Sequence, residues 1–222
     1  MRIAVIIATR KGSKRVKNKS LKKFGKYNLT TLKLRQALKI SSFHNYYFSS
    51  DIKSLNEYAK KLGYTLIKRP KKFLGDATIS DFAPYLKEFV SEEHFCYLTN
   101  TSPLLNDSTI RKAIKIYKNL NIKKNDSLST FESCHDFMWN EKSSINYEVN
   151  NQPKSQNLKK LYKFNPALSI IPTDLIGKVK NVIGYKPYKL VIRKPESIDI
   201  DTIYDYELAK LYKIPKKNVS VK

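Results

Sequence analysis

The chain has 222 residues, a formal net charge of +24 and 41% hydrophobic residues, which is enough to bury a full core without disulfides or metals, as one large domain or one with a small appended lobe. No stretch has the length of a membrane span, a basic loop follows the first apolar run where a signal peptide would need its cleavage site, and Cys96 and Cys134 form no metal-ligand spacing, so a cytoplasmic protein with reduced thiols is expected. The charge points toward nucleic acid, but arginine occurs only at Arg2, Arg10, Arg15, Arg35, Arg69, Arg111 and Arg193 and lysines run from end to end without an aromatic-basic motif, so nucleic acid is not the expected partner.

The chain opens on an apolar run, Ile3 to Ile7, suited to a strand buried on both faces. It breaks into a loop with Arg10, Lys11, Gly12, Ser13, Lys14, Arg15, Lys17, Lys19 and Ser20. Such a loop presents backbone N–H groups and positive charge to phosphates, or is simply a solvated basic loop. Thr30 or Thr31 is the expected cap of a helix with Leu32, Leu34, Ala37 and Leu38 on its apolar face, reaching about Ile40. Tyr46 to Asp51 reads as a strand ending in a polar turn, and Ser54 to Leu62 as a helix closed by Gly63. Thr65 to Ile67 reads as a short strand. Ser80 is the expected cap of a helix through Val90, with Pro84 in its first turns, where its missing N–H costs little. Phe95 to Leu98 is another buried strand, opening into the polar loop from Thr99 to Leu104. Asp107 or Ser108 then caps a helix whose Ile110, Ala113, Ile114 and Tyr117 share a face.

This alternation predicts an α/β, doubly wound, mostly parallel sheet. Right-handed crossovers place the opening loop, Asp51 and the Thr99 to Ser102 loop along one sheet edge, where such folds bind ligands. From about Asn125 the pattern turns to short β-like runs at Leu128 to Phe131, Ile145 to Val149 and Ala167 to Ile171, with Asn140 to Asn157 read as a mobile hairpin arm. A strand at Tyr188 to Ile192 follows. Asp199 and Asp201 flank Ile200, and the last helix starts near Thr202 with Asp205 completing a capping box and runs to Tyr212.

Ala8-Thr9-Arg10-Lys11-Gly12-Ser13-Lys14-Arg15-Val16 with Lys19-Ser20, then Leu98-Thr99-Asn100-Thr101-Ser102-Pro103-Leu104-Leu105, then Asp199-Ile200-Asp201-Thr202 with Asp205, stand in the order of three motifs of one family. Arg69-Pro70 with Asp76 and the weaker run Gln156, Leu158, Tyr162, Asn165-Pro166-Ala167 match two more of its blocks. The chain thus resembles the acylneuraminate cytidylyltransferases, which make CMP-activated sialic and related nonulosonic acids, over nearly its whole length.

The resemblance implies a Rossmann-like nucleotidyltransferase fold in a single domain over 1–222, with a small β-rich dimerisation arm at about 130–165, a homodimer, and attack by a sugar-acid hydroxyl on the α-phosphate of CTP with release of pyrophosphate, for surface-glycan synthesis. By carry-over, Arg10 and Lys19 hold the triphosphate, Gly12 and Ser13 supply N–H groups, and Ser20 and Arg69 contact the nucleotide. Thr99, Thr101, Ser102, Gln156 and Asn165 face the acceptor. Asp199 and Asp201 hold Mg2+, with Arg10, Lys19 and Asp201 as the catalytic set. Lys14, Arg15 and Lys17 are read as solvated, and His44, His94 and His135 as packing or surface residues. Four positions depart from the family pattern: Lys11 replaces a glycine, Ser20 an asparagine, Thr99 a glutamine and Leu105 an arginine. They leave open a different acceptor, or a catalytically weakened relative that acts as a binding protein.

Overall fold

The computed structural model describes residues 1–75 and 77–213. Asp76 therefore lies outside the described residues. β1 (Ile3–Ala8) is the middle of a parallel block: it pairs with β4 (Tyr46–Ser50) on one side and β6 (His94–Leu98) on the other, and β4 pairs in turn with β5 (Thr65–Lys68). Ile3 to Ile7 are fully buried, as a strand covered on both faces must be, and each of its isoleucine and valine side chains contributes roughly 1.5–3 kcal/mol of transfer free energy. β8 (Leu161–Pro172) runs antiparallel to β6 and to β7 (Ser127–Cys134), and β9 (Pro187–Val191) closes the sheet parallel to β7. The seven-stranded order is β5-β4-β1-β6-β8-β7-β9. A two-stranded hairpin, β2 (Lys23–Phe24) with β3 (Tyr27–Asn28), stands apart.

α1 (Leu29–Leu38), α2 (Lys53–Lys61) and α4 (Asp107–Lys118) cover one face of the sheet and α3 (Ile79–Lys87) and α5 (Thr173–Val179) the other, while α6 (Ile203–Lys213) packs apart from it. The core has one cluster on each sheet face, built around Val5, Phe48 and Leu98 on one side and Ile6, Phe82 and Phe95 on the other. A third cluster packs Val16, Phe24 and Leu29 against Ile198, Ile200 and Tyr206. It carries the C-terminal segment across the opening loop. No helix among the described residues is long and apolar enough to cross a membrane.

The helix starts differ from the sequence reading. Asn28, not Thr30 or Thr31, caps α1: its side chain accepts from Thr31 N at 2.8 Å while Thr31 Oγ1 accepts from Asn28 N at 3.1 Å. Thr30 is fully buried and its hydroxyl donates to Ser20 O. α1 therefore buries Thr30, Lys33, Leu34 and Ala37, while Leu38 is exposed. Thr78 replaces Ser80 as the cap of α3, so Pro84 stands in mid-helix and the helix ends at Lys87. Asn106 precedes α4 without a side-chain capping bond, its amide donating to Glu196 instead. Thr202 and Asp205 exchange the expected capping contacts.

The centre of the expected arm is irregular. Between Cys134 and Leu161 there are isolated bridges, Trp139 to Ser144 and Glu148 to Asn151, and a 3-10 turn at Ser155–Asn157. The Ile145 to Val149 run forms no strand, because buried Asn146 holds the turn by accepting from Met138 N and donating to Asp136 O. The strand content of this region lies in the extension of β7 and β8, paired from Phe131 with Phe164 to Cys134 with Leu161.

Asn28→Ala is expected to lower stability by about 1 kcal/mol through loss of the α1 cap, measured by urea unfolding. An unchanged midpoint would contradict the capping assignment.

Candidate active site

β1, β4 and β6 run in parallel, so the loops after them meet at one sheet edge. The loop after β1 bends at Gly12, whose φ of +81° suits glycine. Lys11 N donates to Asp51 Oδ1 at 2.8 Å, tying the loop after β1 to the end of β4. Arg10 donates to the carbonyl of Gly75. The result is a cleft of about 340 Å³ lined by Arg10, Gly12, Ser13, Arg15, Lys19 and Ser20, with Asn100 and Thr101 from the loop after β6.

The floor of this cleft is polar and closed. Ser20 meets the Thr9 hydroxyl, and Asn100, buried, donates to Thr30 Oγ1 at 2.9 Å and reaches Thr9 Oγ1 at 3.4 Å. Ser20 is thereby committed to the floor. Asn100 was not singled out in the sequence, because a lone Asn in a polar loop carries no signal of its own.

A second cleft, of about 410 Å³, lies beyond it and is lined by Glu132, Lys163, Asn165, Lys194, Asp199 and Asp201, among others. Asp201 stands between the two. Its Oδ1 accepts from Arg15 Nη2 at 3.0 Å and from Lys19 Nζ at 3.2 Å, and both donors line the first cleft. Lys19 Nζ also donates to Ile200 O at 2.7 Å. Arg15, expected to be solvated, is exposed but paired. Asp199 accepts from Ser102 Oγ at 3.3 Å. Burial is the main force raising the Asp199 carboxyl above the usual carboxylate range; hydrogen bonds from Thr101 and Ser102 oppose it, and the Asp201 charge adds to it.

Other expected site residues are placed differently. The Arg69 guanidinium donates to Phe73 O at 3.1 and 3.2 Å and stacks 3.9 Å from the Phe82 ring centroid, so it holds the 71–73 turn and lines neither cleft. Burial pulls its pKa down. Thr99 turns toward Ser102, Oγ to Oγ 3.2 Å. Asn165 reaches the second cleft, but its amide is bonded to Ser197 O at 2.7 Å and Glu132 Oε1 at 3.2 Å. Gln156 is exposed on the 3-10 turn and lines neither cleft. Leu105, in place of the family's arginine, is buried in the core. His94 packs on Tyr117, Nδ1 to OH 2.9 Å, as a structural residue. A groove of about 700 Å³ between the end of α4 and β9 shares no residue with either cleft.

The family profile described as cytidylyltransferase matches residues 4–173. The chain belongs to the cytidylyltransferase family. It is 29% identical, over 96% of its length and 97% of the relative's, to a pseudaminic acid cytidylyltransferase of Campylobacter jejuni. It is 24% identical to an N-acylneuraminate cytidylyltransferase of Escherichia coli, over 94% of this chain and 51% of that one. Among solved structures, the fold is similar to a CMP-2-keto-3-deoxy-manno-octonic acid synthetase complexed with CTP, with a TM-score of 0.67 at 10% identity, covering 96% of this chain and 98% of that one. It is also similar to 4-diphosphocytidyl-2C-methyl-D-erythritol synthase of Anaerococcus prevotii, with a TM-score of 0.64 at 13% identity, covering 96% of each chain. The Rossmann-like nucleotidyltransferase architecture expected from the sequence is the one found.

One more charged group, which carries no motif in the sequence, stands against the loop after β6. Lys33 of α1 is fully buried, and its Nζ donates to Ser102 O at 2.8 Å and Gln36 Oε1 at 2.7 Å. Burial pushes its ammonium down to about 7, against the opposing pull of Asp107 and Cys96. In the unfolded chain the lysine keeps its proton up to its ordinary value, near 10.5. The unfolded state thus binds more protons between these two values, and this residue makes stability rise with pH across that window. Lys33→Met is therefore expected to be more stable than the wild type below pH 7, with the advantage shrinking as pH approaches 10. Urea unfolding at several pH values checks this; a difference independent of pH would contradict it.

Proposed function

We propose that this protein transfers CMP from CTP to a sialic-acid-like nonulosonic acid and releases pyrophosphate, in the synthesis of surface glycans. The observation that carries the reading is the shared wall. A basic cleft built on the Gly12 loop and a second cleft lined by Lys163, Lys194, Asp199 and Asp201 are joined where Arg15 and Lys19 of the first bond Asp201 of the second. A triphosphate in the first and an anionic acceptor in the second would present their reacting atoms across that wall. The pseudaminic acid and N-acylneuraminate enzymes among the relatives support the acceptor class.

In this reading Arg10, Lys19 and the backbone N–H groups of Gly12 and Ser13 hold the triphosphate. Ser20 and Asn100 form the floor beneath it. Arg69 acts indirectly, by fixing the 71–73 turn close to Arg10. Lys163 and Lys194 balance the acceptor's carboxylate, Thr101 and Ser102 orient Asp199, and Asn165 shapes the acceptor wall. The acceptor hydroxyl oxygen attacks the α-phosphorus and its proton passes to solvent, the bond to the β-phosphate breaks, and pyrophosphate leaves with the electron pair. Charge is the physical obstacle, since two anions must meet, and fixed cations aimed at the phosphates lower that barrier.

Asp199 and Asp201 suit Mg2+, which takes one or two carboxylates and completes its shell with phosphate oxygens and water. Among the described residues no group of three or more His, Cys, Asp or Glu side chains gathers as a metal cage. Burial is the main cause of the raised Asp199 carboxyl, and the smaller contribution of the Asp201 charge is of the kind a cation relieves. When bound there, Mg2+ would neutralise phosphate charge.

The same reading makes the chain one domain that works in the cytoplasm as a homodimer. Phe137, Met138, Trp139, Ile145 and Val149 expose apolar surface on the 135–160 segment, and a second copy is its expected cover.

The wild type, incubated with CTP, Mg2+ and a panel of pseudaminic, legionaminic, sialic and Kdo-type acids, is expected to release pyrophosphate with at least one of them. Asp201→Ala is expected to lower that rate by about 10²-fold or more. No release with any acid would overturn the reading, and full activity in Asp201→Ala would overturn the role of the aspartate wall.

A further inference from the structure

Helix interiors rarely bury a lysine without a carboxylate in contact, because the ammonium loses its hydration. Lys33 is such a residue, and its ammonium bonds Gln36 on its own helix and the Ser102 carbonyl in the loop after β6 instead. One turn further along α1, Gln36 donates to Leu105 O at 2.6 Å and to Asp107 Oδ1 at 2.8 Å, while its own oxygen accepts from Lys33. Lys33 and Gln36 thus hold both ends of the 102–107 turn. From the same turn, Ser102 Oγ donates to Asp199 and Thr101 O accepts from Ile200 N at 2.8 Å.

We propose that Lys33 is a positioning residue for the cytidylyl transfer: its buried ammonium, anchored on the Ser102 carbonyl, fixes the turn through which the Ser102 hydroxyl and the Thr101 carbonyl hold the Asp199 to Asp201 wall between the two clefts. The inference rests on the cytidylyltransferase reading of that wall. A charge-assisted bond to a carbonyl is about twice as strong as a neutral one. A lysine that costs stability by its burial therefore has a compensating use in fixing one geometry of the turn. The side chain at the end of the turn, Leu105, is apolar and buried, and the cation in contact with the turn enters from α1. Asp107 on α4 and Cys96 on β6 are the titratable groups that face Lys33, and neither bonds to it directly.

Lys33→Met keeps the volume and removes the charge, a replacement that buried ions commonly tolerate. It is expected to lower kcat by about 10- to 100-fold while leaving KM for CTP within about twofold, because the wall shifts and the triphosphate cradle does not. Ser102→Ala keeps the carbonyl that Lys33 grips but breaks the link to Asp199. The double variant should lose no more than the worse single variant, since both cut the same chain. Multiplying losses, or an unchanged kcat in Lys33→Met, would overturn the proposal.

Amide exchange gives a readout that needs no turnover. Ile200 N should exchange roughly tenfold faster in Lys33→Met than in the wild type, while the amides of α4 stay protected. Equal exchange at Ile200 would overturn the proposal even in an inactive enzyme. If the wild type itself releases no pyrophosphate, the reaction reading fails, and this comparison still decides the role of Lys33. Should Lys33→Met not fold, the wild-type kcat is expected to fall as pH rises through about 7, with that limb missing in Ser102→Ala; a limb that persists in Ser102→Ala would sink the link.

Discussion

One ammonium joins the two ends of this chain. Lys19 Nζ bonds the carbonyl of Ile200 and the carboxylate of Asp201, and Arg15 bonds the same carboxylate oxygen. These contacts fasten the C-terminal segment to the opening loop at the wall between the two clefts. The pairs are partly exposed, so their Coulombic worth is small in water. Placement comes instead from burial beneath them: Ile198 and Ile200 pack on Val16, Phe24 and Leu29. Hydrophobic contact sets the distance, and the charges select which groups occupy it.

A buried carboxylate with a second one beside it is unfavourable, and the raised Asp199 carboxyl registers that cost, burial first and the Asp201 charge after it. The surroundings offset it in stages. Arg15 and Lys19 take Asp201, the Thr101 and Ser102 hydroxyls take Asp199, and Lys33 holds Ser102 from behind. The net charge of +24 contributes a general attraction for anions. The geometry of the wall, however, depends on these few cations and not on the lysine-rich surface at large.

Much of this was legible in the sequence for a physical reason. Ile3 to Ile7 is apolar without alternation, as a strand covered on both faces must be, and parallel crossovers then require the following loops to share an edge. The Asp199-Ile200-Asp201 pattern was readable because its apolar centre and acidic flanks each have one place to go. What escaped reading depended on tertiary contacts. Lys33 looks like a solvated residue, yet it occupies a helical position spaced with Thr30, Leu34 and Ala37 on the buried face. Thr30 resembled a cap, but its hydroxyl was needed under Ser20, and Asn28 took the cap. Arg69 matched a nucleotide contact, while its guanidinium is spent on Phe73 O and the Phe82 ring. α5 went unseen because it is short, follows Pro172 and contains Gly177. Ile145 to Val149 had strand-like composition, but Asn146 makes a turn of it through bonds that no local pattern announces.

The central claim is that the aspartate wall is where nucleotide and metal meet. A crystal structure with CTP and Mn2+ in place of Mg2+ tests it directly through the anomalous signal. The expected result is a manganese peak against Asp199 and Asp201, with the triphosphate lying along the Arg10 to Lys19 loop. A nucleotide bound elsewhere, or a manganese peak away from both aspartates, would contradict the account.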